Sequence, residues 1–384
     1  MSFKPIRRRW QNLQTRNAGI LRDVFVVQVT SSRPTFRYWL AQIMAVGIFI
    51  GYLWLGVWSV WAFWRSVHPL HFGYMFVAPL ALGIFILAFP RIQKLPKDSL
   101  TETQAPEFHR LLAAIAAHLH ISDPVRVTID ANFNAFMAQA GLPPRHWMNI
   151  GMPMLLSLAP QEGVFVMAHE MAHAVNGDPK RGFFASQALR FLYHMGNTWR
   201  PHALFAQGVG IMDIVTLPFT LAMLGFSWFF IALAWLLLQL SGEASQRAEY
   251  HADLLAASVS GSAAALTALD KLHLTELYDH AIHKHRHMPE HAHSFAELAH
   301  QMQEVSAERW ANLRAEQEQS SLSLDSSHPP TLNRLAVIAA HPTEAKVLLD
   351  CAWAERIKIE LTPLIAPLQK QAFEEYGQRI GLLY

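Results

Sequence analysis

Ala168-His169-Glu170-Met171-Ala172-His173 fits the pattern His-Glu-x-x-His. Residues four apart share a helix face, so His169 and His173 can both reach one metal ion. Glu170 leaves the same helix beside them, within reach of a water at that metal. Metal-assisted peptide hydrolysis requires two neutral imidazoles, an open coordination position and a carboxylate that accepts a proton. The chain has 21 histidines, so the pattern could also arise without function. Its surroundings argue for function. Pro160-Gln161-Glu162 reads as a helix start, with proline in the first turn and an acid after it. Val164, Phe165, Met167, Ala168, Met171 and Ala172 make the helix as apolar as a buried one. Asn176-Gly177 reads as its stop. Two histidines and a glutamate inside so apolar a helix would be costly without a partner.

At 384 residues the chain has room for two or more domains. Hydrophobic residues make up 52% and charged residues 16%, a balance that leans toward a membrane protein. The net charge of +2 is too small to argue for nucleic acid. A single cysteine, Cys351, excludes an intramolecular disulfide and a multi-cysteine metal site.

Residues 1–37 carry Lys4, Arg7, Arg8, Arg9, Arg16, Arg22, Arg33 and Arg37 against one acid, Asp23. The apolar region that follows starts too late and runs too long for a secretory signal. Tyr38 to Trp64 is uncharged and long enough to span a bilayer, with Trp54, Trp58, Trp61 and Trp64 toward its far end. A second uncharged run, Phe72 to Phe89, is followed by Arg91, Lys94 and Lys97. Basic flanks on both sides predict a transmembrane hairpin over 38–90 with its two ends in the cytoplasm.

From about residue 98 the composition turns soluble. Glu107 to His120 reads as an amphipathic helix, Val125 to Ile129 as a strand, and Asn134 to Ala140 and Trp147 to Met152 as two more. Gly141 to Pro144 is the expected turn between the last two. A helix is expected over Phe183 to His194. Ala203 to Leu240 is again apolar, with Asp213 its only charge. Because His169 lies before it and further ligands after it, this stretch must cross twice or not at all. Two short spans with a turn near Gly225 are the expected form, with a re-entrant segment as the alternative.

Arg247-Ala248-Glu249-Tyr250-His251-Ala252-Asp253 follows. Glu249 and Asp253 share a helix face. Alone, this is an ordinary charged face. After a His-Glu-x-x-His helix, Glu249 is a suitable third zinc ligand, and Asp253 could hold a ligand histidine through its second ring nitrogen. A helix is expected over Gly261 to His280, then a solvated His-rich loop to His293, where a second metal site is the alternative. Ser294 to Gln319 reads as one helix and Ser320 to Ser327 as a loop. His328-Pro329-Pro330-Thr331 opens another helix, and the remaining helices should break at Pro363–Pro367.

With these motifs in hand, the chain resembles the HtpX-like membrane gluzincin peptidases, relatives of the CAAX prenyl endopeptidases. The resemblance covers about residues 100–340. It rests on Asn134-Ala135-Phe136, on His169 to His173 continuing to Asp178, on Arg247 to Asp253, and on His328 to Arg334. It implies a mainly α fold with a small β-sheet, in which membrane helices accompany a gluzincin-type zinc peptidase domain. In order, the segments would be a basic 1–37, the hairpin 38–90, a first catalytic part 91–202, a hydrophobic 203–241 and a second catalytic part 242–384. The resemblance also implies one Zn2+ per chain on His169, His173 and Glu249, with Glu170 as general base. Asp253 would stand behind a ligand. His328 would stabilise the oxyanion and Arg334 orient it, and Asn134, Ala135 and Phe136 would hold an extended substrate. Unfolded or membrane proteins are the implied substrates and the lipid bilayer a partner. Membrane protein quality control is the implied role, in a bacterial inner membrane with the catalytic domain facing the cytoplasm. A processing peptidase for lipidated proteins and a non-catalytic zinc-containing membrane scaffold or chaperone are the rival readings.

Overall fold

Some helices of this chain carry an apolar stripe at helical spacing, and others are apolar on every side. The computed structural model describes residues 35–67, 72–87, 94–96, 98–141, 145–175, 183–201, 211–320, 329–379 and 381. Among these, a three-stranded sheet is the one exception to a mainly helical fold. Packing divides the chain into two units, one made of Gln93–Pro179 and Gln246–Tyr384, the other of Arg33–Ile92 and Lys180–Ser245.

In the first unit, helix α3 (Pro106–His118) buries Phe108, Leu111, Leu112 and Ile115 on one face, the stripe its spacing predicts. Strands β1 (Arg126–Asp130), β2 (Ala135–Ala140) and β3 (Arg145–Gly151) form a sheet of order β1-β3-β2. Strand β3 is parallel to β1 and antiparallel to β2, so β2 lies at an edge. The inner face buries Val127, Met148 and Ile150. The other face carries a polar ladder. Trp147 Nε1 donates to Thr128 Oγ1 at 2.8 Å, Thr128 Oγ1 to Asn149 Oδ1 at 2.7 Å, and Asn149 Nδ2 to Asp130 Oδ2 at 2.9 Å. The loop from β1 to β2 crosses Gly151 so closely that a Cβ there would collide with the Asn132 carbonyl.

Helix α4 (Met152–Ser157) leads into α5 (Pro160–Val175), which carries the His-Glu-x-x-His pattern. Its start is capped as the sequence suggests: the Ala159 amide donates to Glu162 Oε2 at 2.7 Å, and Lys271 Nζ lies 2.8 Å from the same oxygen. Gly261, at φ +85°, separates α7 (Ile211–Ser260), whose last turns belong to this unit, from α8 (Ser262–Lys271).

Three expectations fail from there on. The segment 261–293 is not a helix followed by a loop. A short 3-10 turn joins α8 to helix α9 (Glu276–His287), which buries Tyr278, Ala281, Ile282 and His285 at helical spacing. Half of the His-rich stretch is therefore packed helix. The segment 294–319 splits into α10 (Ser294–Gln303) and α11 (Ala307–Ser320), because Ser306 Oγ accepts from the Arg309 amide at 3.2 Å and starts a new helix. After α12 (Thr331–Ala340), helix α13 (Cys351–Arg379) runs through both Pro363 and Pro367. The two prolines lie four apart on an exposed face, where the carbonyls that lose their amide partners can meet water.

The second unit is helical. It holds α1 (Phe36–Val67), α2 (Phe72–Leu87), α6 (Phe183–Thr198) and the part of α7 (Ile211–Ser260) up to Ser245. Small residues let these helices approach closely: Ala41, Ala45, Ala188 and Ala234 are buried with Leu192 and Leu237. A Cβ on Gly56 would lie 2.5 Å from the Phe85 ring, which stacks on Tyr52 at 4.8 Å. The turn expected near Gly225 is absent. Residues 211–260 form one helix, which runs through Pro218, so the stretch is not a hairpin of two short spans; a continuous apolar helix satisfies nearly all of its backbone groups internally. Phe36–Val67 and Thr216–Gly242 are long and apolar enough to cross a membrane, and most of each window is open to the surroundings. Phe76, Phe219 and Trp228 are each more than 60% exposed. So large an apolar surface needs cover from water, and the protein is membrane-associated.

Candidate metal centre

Helix α5 presents His169 and His173 one turn apart, and the last turns of α7 present Glu249 and Asp253. The first three converge. His169 Nε2 lies 3.3 Å from His173 Nε2 and 3.5 Å from Glu249 Oε2, and His173 Nε2 lies 3.6 Å from Glu249 Oε1. Zinc with bonds of about 2.0–2.1 Å in a tetrahedron separates its ligand atoms by about 3.4 Å. The donor set and its spacing therefore fit that ion. Among the described residues, His169, His173 and Glu249 form one of two groups able to hold a metal. His169 and Glu249 are buried, whereas His173 and Glu170 are half-buried, which leaves an approach from one side.

Behind the ligands stands a charged column. His169 Nδ1 lies 3.0 Å from Asp253 Oδ1. Arg334, on α12, donates to both oxygens of Asp253, Nε at 2.7 Å and a terminal nitrogen at 2.6 Å. Burial would push the Asp253 carboxyl up, but the guanidinium and His169 hold it below its ordinary value. Burial would lower the His169 pKa, but Asp253 and Glu249 outweigh it and raise it to about 9. Burial likewise raises the neighbouring Tyr250 phenol to about 12, with Asn333 of α12 as its hydrogen-bond partner.

Of the expected site residues, the structure brings together His169, Glu170, His173, Glu249, Asp253 and Arg334. Arg334 stands with Asp253 behind the ligands: it is 7% exposed and holds both oxygens of that carboxylate. Ala135 and Phe136 begin the edge strand β2. Asn134 precedes it, and its carbonyl already accepts from the Gly151 amide at 2.8 Å. His328 lies outside the described residues.

One residue that sequence reasoning missed is Gln161. Its Nε2 donates to the carbonyls of Ser260 at 3.0 Å and Val347 at 2.8 Å, and its Oε1 accepts from the Leu349 amide at 3.1 Å. It thereby ties the start of the histidine helix to the end of the glutamate helix. A glutamine in a first helical turn reads as solvated, and its partners lie far away in sequence, so no local signal marks it.

No curated protein matches this chain. A sequence-family comparison does: the model of peptidase family M48 matches residues 102–341, more than half of the chain and the whole of the site just described. The HtpX-like and CAAX-protease-like metallopeptidases form that family. Both metal helices, the edge strand and Arg334 fall inside the matched span, and the chain belongs to peptidase family M48.

Proposed function

We propose that this membrane-associated metallopeptidase is a zinc-dependent endopeptidase that cuts unfolded or membrane-associated proteins. The observation that carries the reading is the convergence of His169, His173 and Glu249 at the edge lengths of a zinc tetrahedron, with Glu170 beside them. When bound, zinc supplies a Lewis acid and lowers the pKa of water toward neutrality. The protein's own residues do the rest. Glu170 takes a proton from the attacking water and returns it to the leaving amine. Asp253, pinned by Arg334, fixes the orientation of the His169 ring. The outer edge of β2, which pairs with no further strand among the described residues, suits an extended chain, which would add to the sheet through backbone hydrogen bonds. Such pairing requires an unfolded segment, and the apolar helical unit directs the search for one to the bilayer. Quality control of membrane proteins, with the peptidase unit on the cytoplasmic side of a bacterial inner membrane, is the role we assign.

Zinc content and casein cleavage, measured together on detergent-purified wild type and Glu170→Gln, test this. The expected result is about one tightly held zinc in both, with cleavage in wild type alone. Cleavage of a prenylated peptide but not of casein would move the substrate class to lipidated proteins. Zinc without turnover on either substrate would favour the scaffold reading, and a fully active Glu170→Gln would sink the mechanism.

A further inference from the structure

Seven histidines lie between residues 280 and 300, and the reaction above uses none of them: His280, His283, His285, His287, His291, His293 and His300. The structure gives some of them structural duties. His285 is buried with its ring stacked on Phe373. His293 Nδ1 caps α10 by accepting from the Ala296 amide at 3.0 Å. His291 and His300 are placed differently. Their ring centroids are 4.6 Å apart, and each turns Nδ1 toward a carboxylate: His291 lies 2.6 Å from Glu297 Oε2, and His300 lies 3.3 Å from Glu304 Oε2. A carboxylate at one ring nitrogen orients an imidazole and leaves the other as a ligand. Asp253 stands in the same relation to His169.

A carboxylate donor stands beside His291. Ligand atoms of Glu290, His291 and Glu297 lie within 4.8 Å of one another. Glu297 is completely buried and already accepts from Lys284 Nζ and Gln301 Nε2, each at 2.8 Å, so it is an orienting group. The Glu290 side chain is 55% exposed. Lys284 Nζ also lies 2.8 Å from Glu290 Oε2, with 29% of its side chain exposed. It balances the two acids in the metal-free protein, and on giving up Glu290 it still neutralises Glu297.

We propose that His291, His300 and Glu290 form a second metal site, independent of the catalytic one, for a divalent transition ion of the zinc class. Two imidazoles and a carboxylate select such an ion over calcium or magnesium. Its effect would be to staple the connection between α9 and α10.

The test titrates Zn2+ alone into the metal-stripped full chain in detergent, read by calorimetry and elemental analysis. Wild type is expected to bind two equivalents of different affinity. His291→Ala/His300→Ala should lose the weaker one and keep both the tighter one and casein cleavage. His169→Ala/His173→Ala should lose only the tighter one. His283→Ala/His287→Ala removes another exposed pair with ring centroids 4.6 Å apart and should keep both. Should the 291/300 double variant fold poorly, His300→Gln alone should weaken the second equivalent by about tenfold or more. A single equivalent in wild type, a second one that survives loss of His291 and His300, or one that disappears with His283 and His287 would overturn the proposal.

Discussion

At the scale of single residues, the chemistry and its scaffold separate cleanly. Glu170→Gln keeps the size of the side chain and every metal ligand. Its cleavage rate should fall by at least about a hundredfold while zinc content stays constant. Arg334→Met leaves Asp253 buried without its guanidinium, with His169 as its remaining charged neighbour. Loss of one partner from a buried pair destabilises by about 3–5 kcal/mol, and zinc affinity should drop about 10- to 100-fold as the His169 ring loses its anchor. A thermal melt and a zinc titration on the same sample check both. Unchanged zinc affinity would show that the column does not steer the ligand. These roles differ in how far a sequence exposes them. His169 with His173, and Glu249 with Asp253, are pairs four apart on a helix, so spacing alone places each pair on one face. Arg334 meets Asp253 across 81 positions, and only folding reveals which group its guanidinium holds.

Between elements, packing overrides local pattern in both directions. The His-rich stretch looks solvated because its residues are polar, yet Tyr278, Ala281, Ile282 and His285 recur at helical spacing and pack as α9. Pro363 and Pro367 look like breakers, yet both face solvent on an otherwise continuous helix. The strands were legible from their alternation, but their order was not, because parallel pairing of β1 with β3 leaves no local mark. Two contacts between elements carry predictions. Gln161→Ala removes hydrogen bonds from three part-buried backbone groups, and the melting temperature should fall in line with a loss of about 1–3 kcal/mol. Glu297 joins α10 to Lys284 of α9 and to His291. Burial would raise its pKa, but Lys284, Gln301 and His291 pull it down to about 2 from an ordinary 4.5. A depressed pKa stabilises the fold above the ordinary value, and that contribution is lost as pH falls from about 4.5 toward 2. The gap in stability between wild type and Glu297→Gln should therefore be full at neutral pH and shrink across that window. A gap independent of pH would remove the charge of Glu297 from the account.

For the whole molecule, the apolar surface of α1, α2 and α7 predicts the behaviour in the cell. The full chain should stay in the pellet after an alkaline carbonate wash of membranes; release into the supernatant would show that these helices do not insert. The long helix α7 has a further consequence. The two histidines are translated before the apolar stretch of that helix, and Glu249 after it. A ribosome-bound chain that has not yet produced the whole stretch lacks Glu249, the third member of the His169–His173–Glu249 group. A nascent chain stalled before Glu249 should bind zinc weakly and leave casein intact, and it should gain both properties only once Glu249, Arg334 and the helices packed behind them have left the ribosome.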